Sequence, residues 1–161
     1  MAGLSKTQLE HYLRRSYTAV DGLWFMKVEE KHGFEVALDI DREVWRVMAK
    51  IQSCALKSIL ADPAGDPPNL RKAFSAKLKL DGFRFRTRTS NSGFTVTIPT
   101  CPWLEILAKA GRQEFADRIG SAICGSEYPV WPQEFGDSYS LEFTSRICMG
   151  DKICRIDFIK N

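Results

Sequence analysis

Apolar residues recur three and four apart over the first sixty positions of this chain and at every second position farther on. The chain therefore reads as helices followed by strands. Thr7-x-x-Glu10 has the form of a capping box and opens a helix predicted to run to about His32, with Gly33 as its stop. On it Leu9, Tyr12, Leu13, Tyr17, Val20, Leu23, Trp24 and Val28 follow the spacing of one buried face. A second helical region, 34 to about 60, carries Leu38, Val44, Trp45, Met48, Ile51, Ala55 and Ile59 at similar spacing. Asp39-Ile40-Asp41 leaves open whether it is one helix or two. Residues 62–69, rich in Asp, Pro and Gly, predict a loop, and a short helix follows over 70–76.

The period then changes. Phe83, Phe85, Thr87 and Thr89 alternate with Arg84, Arg86 and Arg88, the pattern of a half-buried strand. Ser90-Asn-Ser-Gly93 predicts a hairpin turn, and Phe94, Val96 and Ile98 mark the return strand. A helix is expected from about Pro102, with Leu104, Leu107, Ala108, Phe115, Ile119 and Ile123 on its apolar face and Gly111 as an interruption. Residues 125–137 read as an ordered loop, and 139–147 with 153–159 as a closing hairpin. The order helices, hairpin, helix, hairpin is that of an α+β fold: N-terminal helices packed on a four-stranded, largely antiparallel sheet. One domain of 161 residues is expected, helical over 1–76 and cysteine-bearing over 77–161.

Composition narrows the function classes. A net charge of +3, with bases and acids interspersed, gives no footprint for nucleic acid. No apolar run reaches the ~18 residues of a membrane span, and the first ten residues carry no secretory h-region. The expected setting is the cytoplasm, where thiols stay reduced and clustered cysteines read as metal-binding or catalytic before they read as disulfides.

Four of the five cysteines fall in the last third, each beside an element boundary: Cys101, Cys124, Cys148 and Cys154. With a three-residue loop, Cys148 and Cys154 would oppose each other across the closing hairpin, Cβ atoms ~4.5–5.5 Å apart. That suits two ligands of a tetrahedral zinc ion; a two-residue loop would place them on opposite faces. There is no Cys-x-x-Cys, and His11 and His32 are far away in sequence. The bland alternative is that these cysteines are small core hydrophobes, which is the reading for Cys54.

The block Thr100-Cys-Pro-Trp-Leu-Glu-Ile-Leu, then Gly111-Arg-Gln-Glu-Phe, Ile123-Cys124 and Cys148-Met-Gly-Asp-Lys-Ile-Cys-Arg-Ile-Asp-Phe resembles the L-2-amino-thiazoline-4-carboxylic acid hydrolase family. The Cys-x-Gly-Asp-x-x-Cys hairpin is also similar to the 4-vinyl-reductase domain, and residues 15–29 resemble a branch of uncharacterised bacterial and archaeal proteins. The first resemblance implies hydrolysis of a small cyclic, amidine-like C–N bond, with Cys101, Cys124 and Cys154 as family cysteines and Glu127 where an Asp is expected.

Two functions follow as expectations. In the hydrolase reading, Cys101 attacks from a helix N-terminus, or Cys101, Cys124, Cys148 and Cys154 hold zinc, the candidate cofactor, and its bound water attacks. Glu127 or Glu134 carries the proton, and Trp103, Tyr128 and Trp131 wall the substrate pocket. In the alternative, the chain is a non-catalytic module for a small molecule or metal, with Tyr17, Asp21 and Trp24 on one helical face contacting the ligand. Arg84, Arg86 and Arg88 read as a solvated sheet face before they read as a carboxylate clamp. The expected partners are a small-molecule ligand and a second copy in a homodimer, with neither nucleic acid nor membrane.

Overall fold

A computed structural model describes residues 3–62, 64 and 69–161. Most of the predicted 62–69 loop lies outside the described residues. The chain divides into two compact units, residues 1–41 and 42–161.

The first unit holds helix α1, Lys6–His32, and the start of α2, Phe34–Ile59. The capping box forms two residues before the predicted one. Ser5 accepts from the Gln8 N–H, and the Gln8 side chain accepts from the Ser5 N–H. Gly33 stops the helix as expected, at φ 86°, where its N–H donates to the Glu29 carbonyl. The predicted buried face is corrected. Leu9, Tyr12, Leu13, Val20, Leu23 and Trp24 are exposed, and Phe25 is the buried residue, edge-on to Phe34.

The second unit takes the rest of α2, which is one unbroken helix through Asp39-Ile40-Asp41. Helix α3, Leu70–Leu80, runs a turn longer than predicted and starts on the Asn69 side chain, which accepts from the Lys72 N–H. Strands β1, Arg84–Ser90, and β2, Gly93–Thr100, form the predicted hairpin. Gly93 is required there: its φ is 142°, and a Cβ would run into the Phe158 carbonyl.

The helix expected from about Pro102 is interrupted at Gly111, as its sequence suggests, and forms two helices. Helix α4, Pro102–Lys109, ends before Gly111 at φ 69°, and a 3-10 turn at Gln113–Phe115 leads into α5, Ala116–Glu127. The predicted loop 125–137 is corrected as well, since α5 enters it and the short helix α6, Val130–Glu134, follows. Strands β3, Tyr139–Ser145, and β4, Cys154–Lys160, close the fold.

The sheet order is β1-β2-β4-β3, antiparallel throughout, so the fold is the α+β class expected. Phe94, Val96 and Ile98 of β2 and Ile156 and Phe158 of β4 point into the core. They meet Phe74 and Leu78 of α3 and Trp131 of α6. Arg84, Arg86 and Arg88 alternate outward and are exposed. No helix among the described residues is long and apolar enough to cross a membrane.

Candidate functional site

Four elements deliver the four C-terminal thiols. Cys101 is the residue on which α4 begins, directly after β2. Cys154 opens β4 opposite Ile98, and its Sγ accepts from the Ile147 N–H at 3.2 Å. Cys124 sits in α5, one turn after Gly120. Cys148 lies in a 3-10 turn, Ile147–Met149, rather than in a strand. The pairing of β3 with β4 ends at Ser145 and Arg155, so neither of the two hairpin registers left open by the sequence forms, and Cys148 and Cys154 are not cross-strand partners. The extra residues of the connection go into the 3-10 turn, which lays Cys148 on α5. A Cβ at Gly120 would stand 2.6 Å from the Cys148 Cβ and 3.0 Å from its Sγ. Glycine at 120 is what lets the turn approach this closely.

The thiols are near enough to act on one another electrostatically. Burial pushes the Cys101 thiol up to about 11; the Leu104 and Trp103 N–H groups at the helix start oppose that rise, and Cys154 and Cys148 add to it. Burial also drives Cys124 far up, with Glu127, Cys101 and Cys148 adding and Lys77 opposing. Cys154 is raised by burial and by Cys148, against the Ile147 N–H. These three thiols are protonated at neutral pH. All five cysteines are free, with Cys54 exposed and the other four half-buried. Among the described residues, no three His, Cys, Asp or Glu side chains stand close enough to hold a metal ion without rearrangement.

Next to Cys124 lies a buried ion cluster in which the sequence reading placed only Glu127. The Lys77 ammonium is 2.6 Å from Glu127 and 3.1 Å from Asp81, and all three side chains are under a tenth exposed. Lys77 also lies 4.7 Å over the Tyr128 ring. Burial works to lower the lysine's pKa, but Glu127 and Asp81 outweigh it and the net shift is upward. The Tyr128 hydroxyl is held well above its ordinary range by burial and by Cys124 and Glu127. Lys77 and Asp81 lie beyond the helix predicted over 70–76; their spacing of four marks them as a pair only once α3 runs on to Leu80.

The remaining candidates are dispersed. Tyr128 and Trp131 are core residues against Phe74, and Trp103 is half-buried edge-on to Trp45. The indole N–H of Trp131 is buried without a hydrogen-bond partner among the described residues. Glu134 stands 3.9 Å from Lys57. Tyr17 and Asp21 are half-buried and Trp24 is exposed, all three in the first unit.

A model for a family of unknown function (DUF6125) matches residues 3–96, more than half of the chain. The match ends before Cys101, so it runs from α1 into β2 and includes none of the four C-terminal cysteines. No curated protein and no solved structure matches the chain.

Proposed function

Because the chain belongs to that family, whose function is unknown, we propose a function from the site itself: a non-catalytic module that binds a thiophilic metal ion of the zinc class. The proposed ligands are Cys101, Cys124, Cys148 and Cys154. The observation that carries the reading is placement: the Cys154 Sγ accepts from the N–H of the residue before Cys148, Cys148 lies against α5 at Gly120, one turn from Cys124, and Cys154 stands opposite Ile98, three residues before Cys101. Thiolates are soft ligands, and zinc–sulfur bonds are short, ~2.3 Å, so metal uptake would have to bring the four sulfurs together.

The same facts weigh against the hydrolase reading that the family resemblance implied. A nucleophilic cysteine needs a lowered pKa, and Cys101 is pushed the other way, to about 11. A proton carrier needs freedom to exchange, and Glu127 is locked on Lys77 at 2.6 Å. Raised thiol pKa values do not disfavour ligation in the same way, because the metal displaces the proton. They make uptake release protons and tighten as pH rises.

Cadmium titration of chelator-free, reduced protein tests this. One equivalent taken up with a thiolate-to-metal charge-transfer band is expected, weakened in Cys101→Ser and in Cys124→Ser. Uptake indifferent to both substitutions, or no uptake, would falsify the reading. Turnover of amino-thiazoline carboxylate by metal-free protein would reinstate the hydrolase.

A further inference from the structure

Helix α1 is 27 residues long, ~40 Å, and its most apolar arc is exposed. Leu9, Tyr12, Leu13, Val20, Leu23 and Trp24 are each between 46% and 66% exposed. Within this arc Leu9, Leu13, Ser16, Val20, Leu23 and Lys27 are spaced four, three, four, three and four. That alternation sets the six positions in one row along the helix, the geometry of a short seam against a second helix, and four of the six are apolar. Tyr12 and Trp24 flank the seam at its two ends and widen it.

The amount of surface fits a partner. With aromatic side chains of ~150–250 Å² each, the arc leaves on the order of 600 Å² in water, at the top of the largest patch on a typical monomer. Two such arcs face to face bury at most roughly 1,200 Å², the lower edge of the standard range for a specific interface. The arc is also its own complement. It is symmetric about position 18: Leu9 mirrors Lys27, Tyr12 mirrors Trp24, Leu13 mirrors Leu23, and Ser16 mirrors Val20. A parallel pair would set Lys27 against Lys27 and Ser16 against Ser16. An antiparallel pair sets each polar seam residue against an apolar one. The Lys27 stem then covers the partner's Leu9 while its ammonium stays on Glu30 of its own chain, at 2.7 Å.

We infer that the chain forms a two-fold symmetric dimer through antiparallel pairing of α1 with α1 of a second copy. The occupant of the arc is thus the arc itself.

Size-exclusion chromatography with light scattering on the full chain is the first test. The expected mass is twice the 18.3 kDa of the chain. Val20→Glu, on an exposed position, halves that mass while leaving the helical circular-dichroism signal unchanged. Orientation is read by oxidative cross-linking against the parent chain with its native cysteines. Ser16→Cys combined with Val20→Cys gives a covalent dimer, and Ser16→Cys alone does not. A monomeric parent, a Val20→Glu variant that stays dimeric, or efficient cross-linking by Ser16→Cys alone overturns the inference.

Discussion

Two clusters of opposite charges in the second unit use the same chemistry in different surroundings. Inside, Lys77 of α3 is clamped between Asp81 and Glu127, and all three are buried. On the outward face of the sheet, Asp157 of β4 accepts from Thr95 at 2.5 Å, from Thr144 at 3.0 Å and from Arg155 at 3.2 Å. There Arg155 is 54% exposed. The inner cluster has more charge in contact and fewer waters to replace a lost partner. Its members therefore depend on each other, whereas the outer carboxylate, 16% exposed, keeps two threonine hydroxyls when it loses an arginine that is itself largely in water. What differs is the cost of breaking the arrangement, more than the net gain from having it.

The largest expected effect follows from that difference. Lys77→Met leaves two buried carboxylates without a cation, and should cost ~3–5 kcal/mol in denaturant unfolding. Adding Glu127→Gln and Asp81→Asn removes the stranded charge and should recover a large part of it. A cost below ~1 kcal/mol for Lys77→Met would mean that water reaches the cluster, and the contrast with the outer face would collapse.

The pH dependence has opposite signs in the two places. The lysine is raised above its ordinary 10.5, so its stabilisation is complete below that value and is lost as pH rises through the native one. Asp157 is lowered, because its three hydrogen-bond donors and the Arg155 charge outweigh the burial that acts to raise it. Its stabilisation is complete above the ordinary 3.8 and is lost as pH falls through the native value. Melting curves of Lys77→Met and Asp157→Asn across the pH range should therefore diverge from the parent's shape at opposite ends.

A packing test sharpens the same inside–outside contrast. Gly120→Ala puts a methyl 2.6 Å from the Cys148 Cβ, whereas Gly125, later in the same helix, has nothing within 4 Å. The first should cost ~1–3 kcal/mol as an overpacked contact. The second should be neutral or stabilising by ~0.4–1 kcal/mol, since alanine restricts the unfolded chain. Cys148→Ala should not rescue Gly120→Ala, because the clash is with Cβ and not with the sulfur alone.

Periodicity made the fold class legible, and it failed where context decides. Val96, Ile98, Ile156 and Phe158 alternate with polar residues and are buried as that pattern requires. Leu9, Leu13 and Val20 have the helical equivalent of that signal and are exposed, because spacing shows which residues share a face and not what covers it. The cysteines are recognisable as a group at element ends, yet a tight hairpin in either register leaves out the 3-10 turn that holds Cys148. A 3-10 turn with Gly150 at φ 94° leaves only that glycine as its mark in sequence. Glu127 was singled out for a resemblance to a family carboxylate. Its actual partner, Lys77, is fifty positions earlier, a distance over which local pattern carries no information.

The smallest expected effect is at the outer face. Asp157→Asn keeps the shape of the side chain; its one remaining oxygen accepts from one of Thr95 and Thr144, the other hydroxyl can turn to accept from the new amide N–H, and the charge that Arg155 meets is lost. A loss of ~0.2–1 kcal/mol is expected at neutral pH, shrinking in high salt as screening weakens the ion pair. Equilibrium unfolding of parent and variant at low and high ionic strength measures both quantities. A salt-insensitive loss of several kcal/mol would place Asp157 with the buried cluster and mean that this face is covered in solution, which makes the substitution a probe of the sheet's exposure as well as of one ion pair.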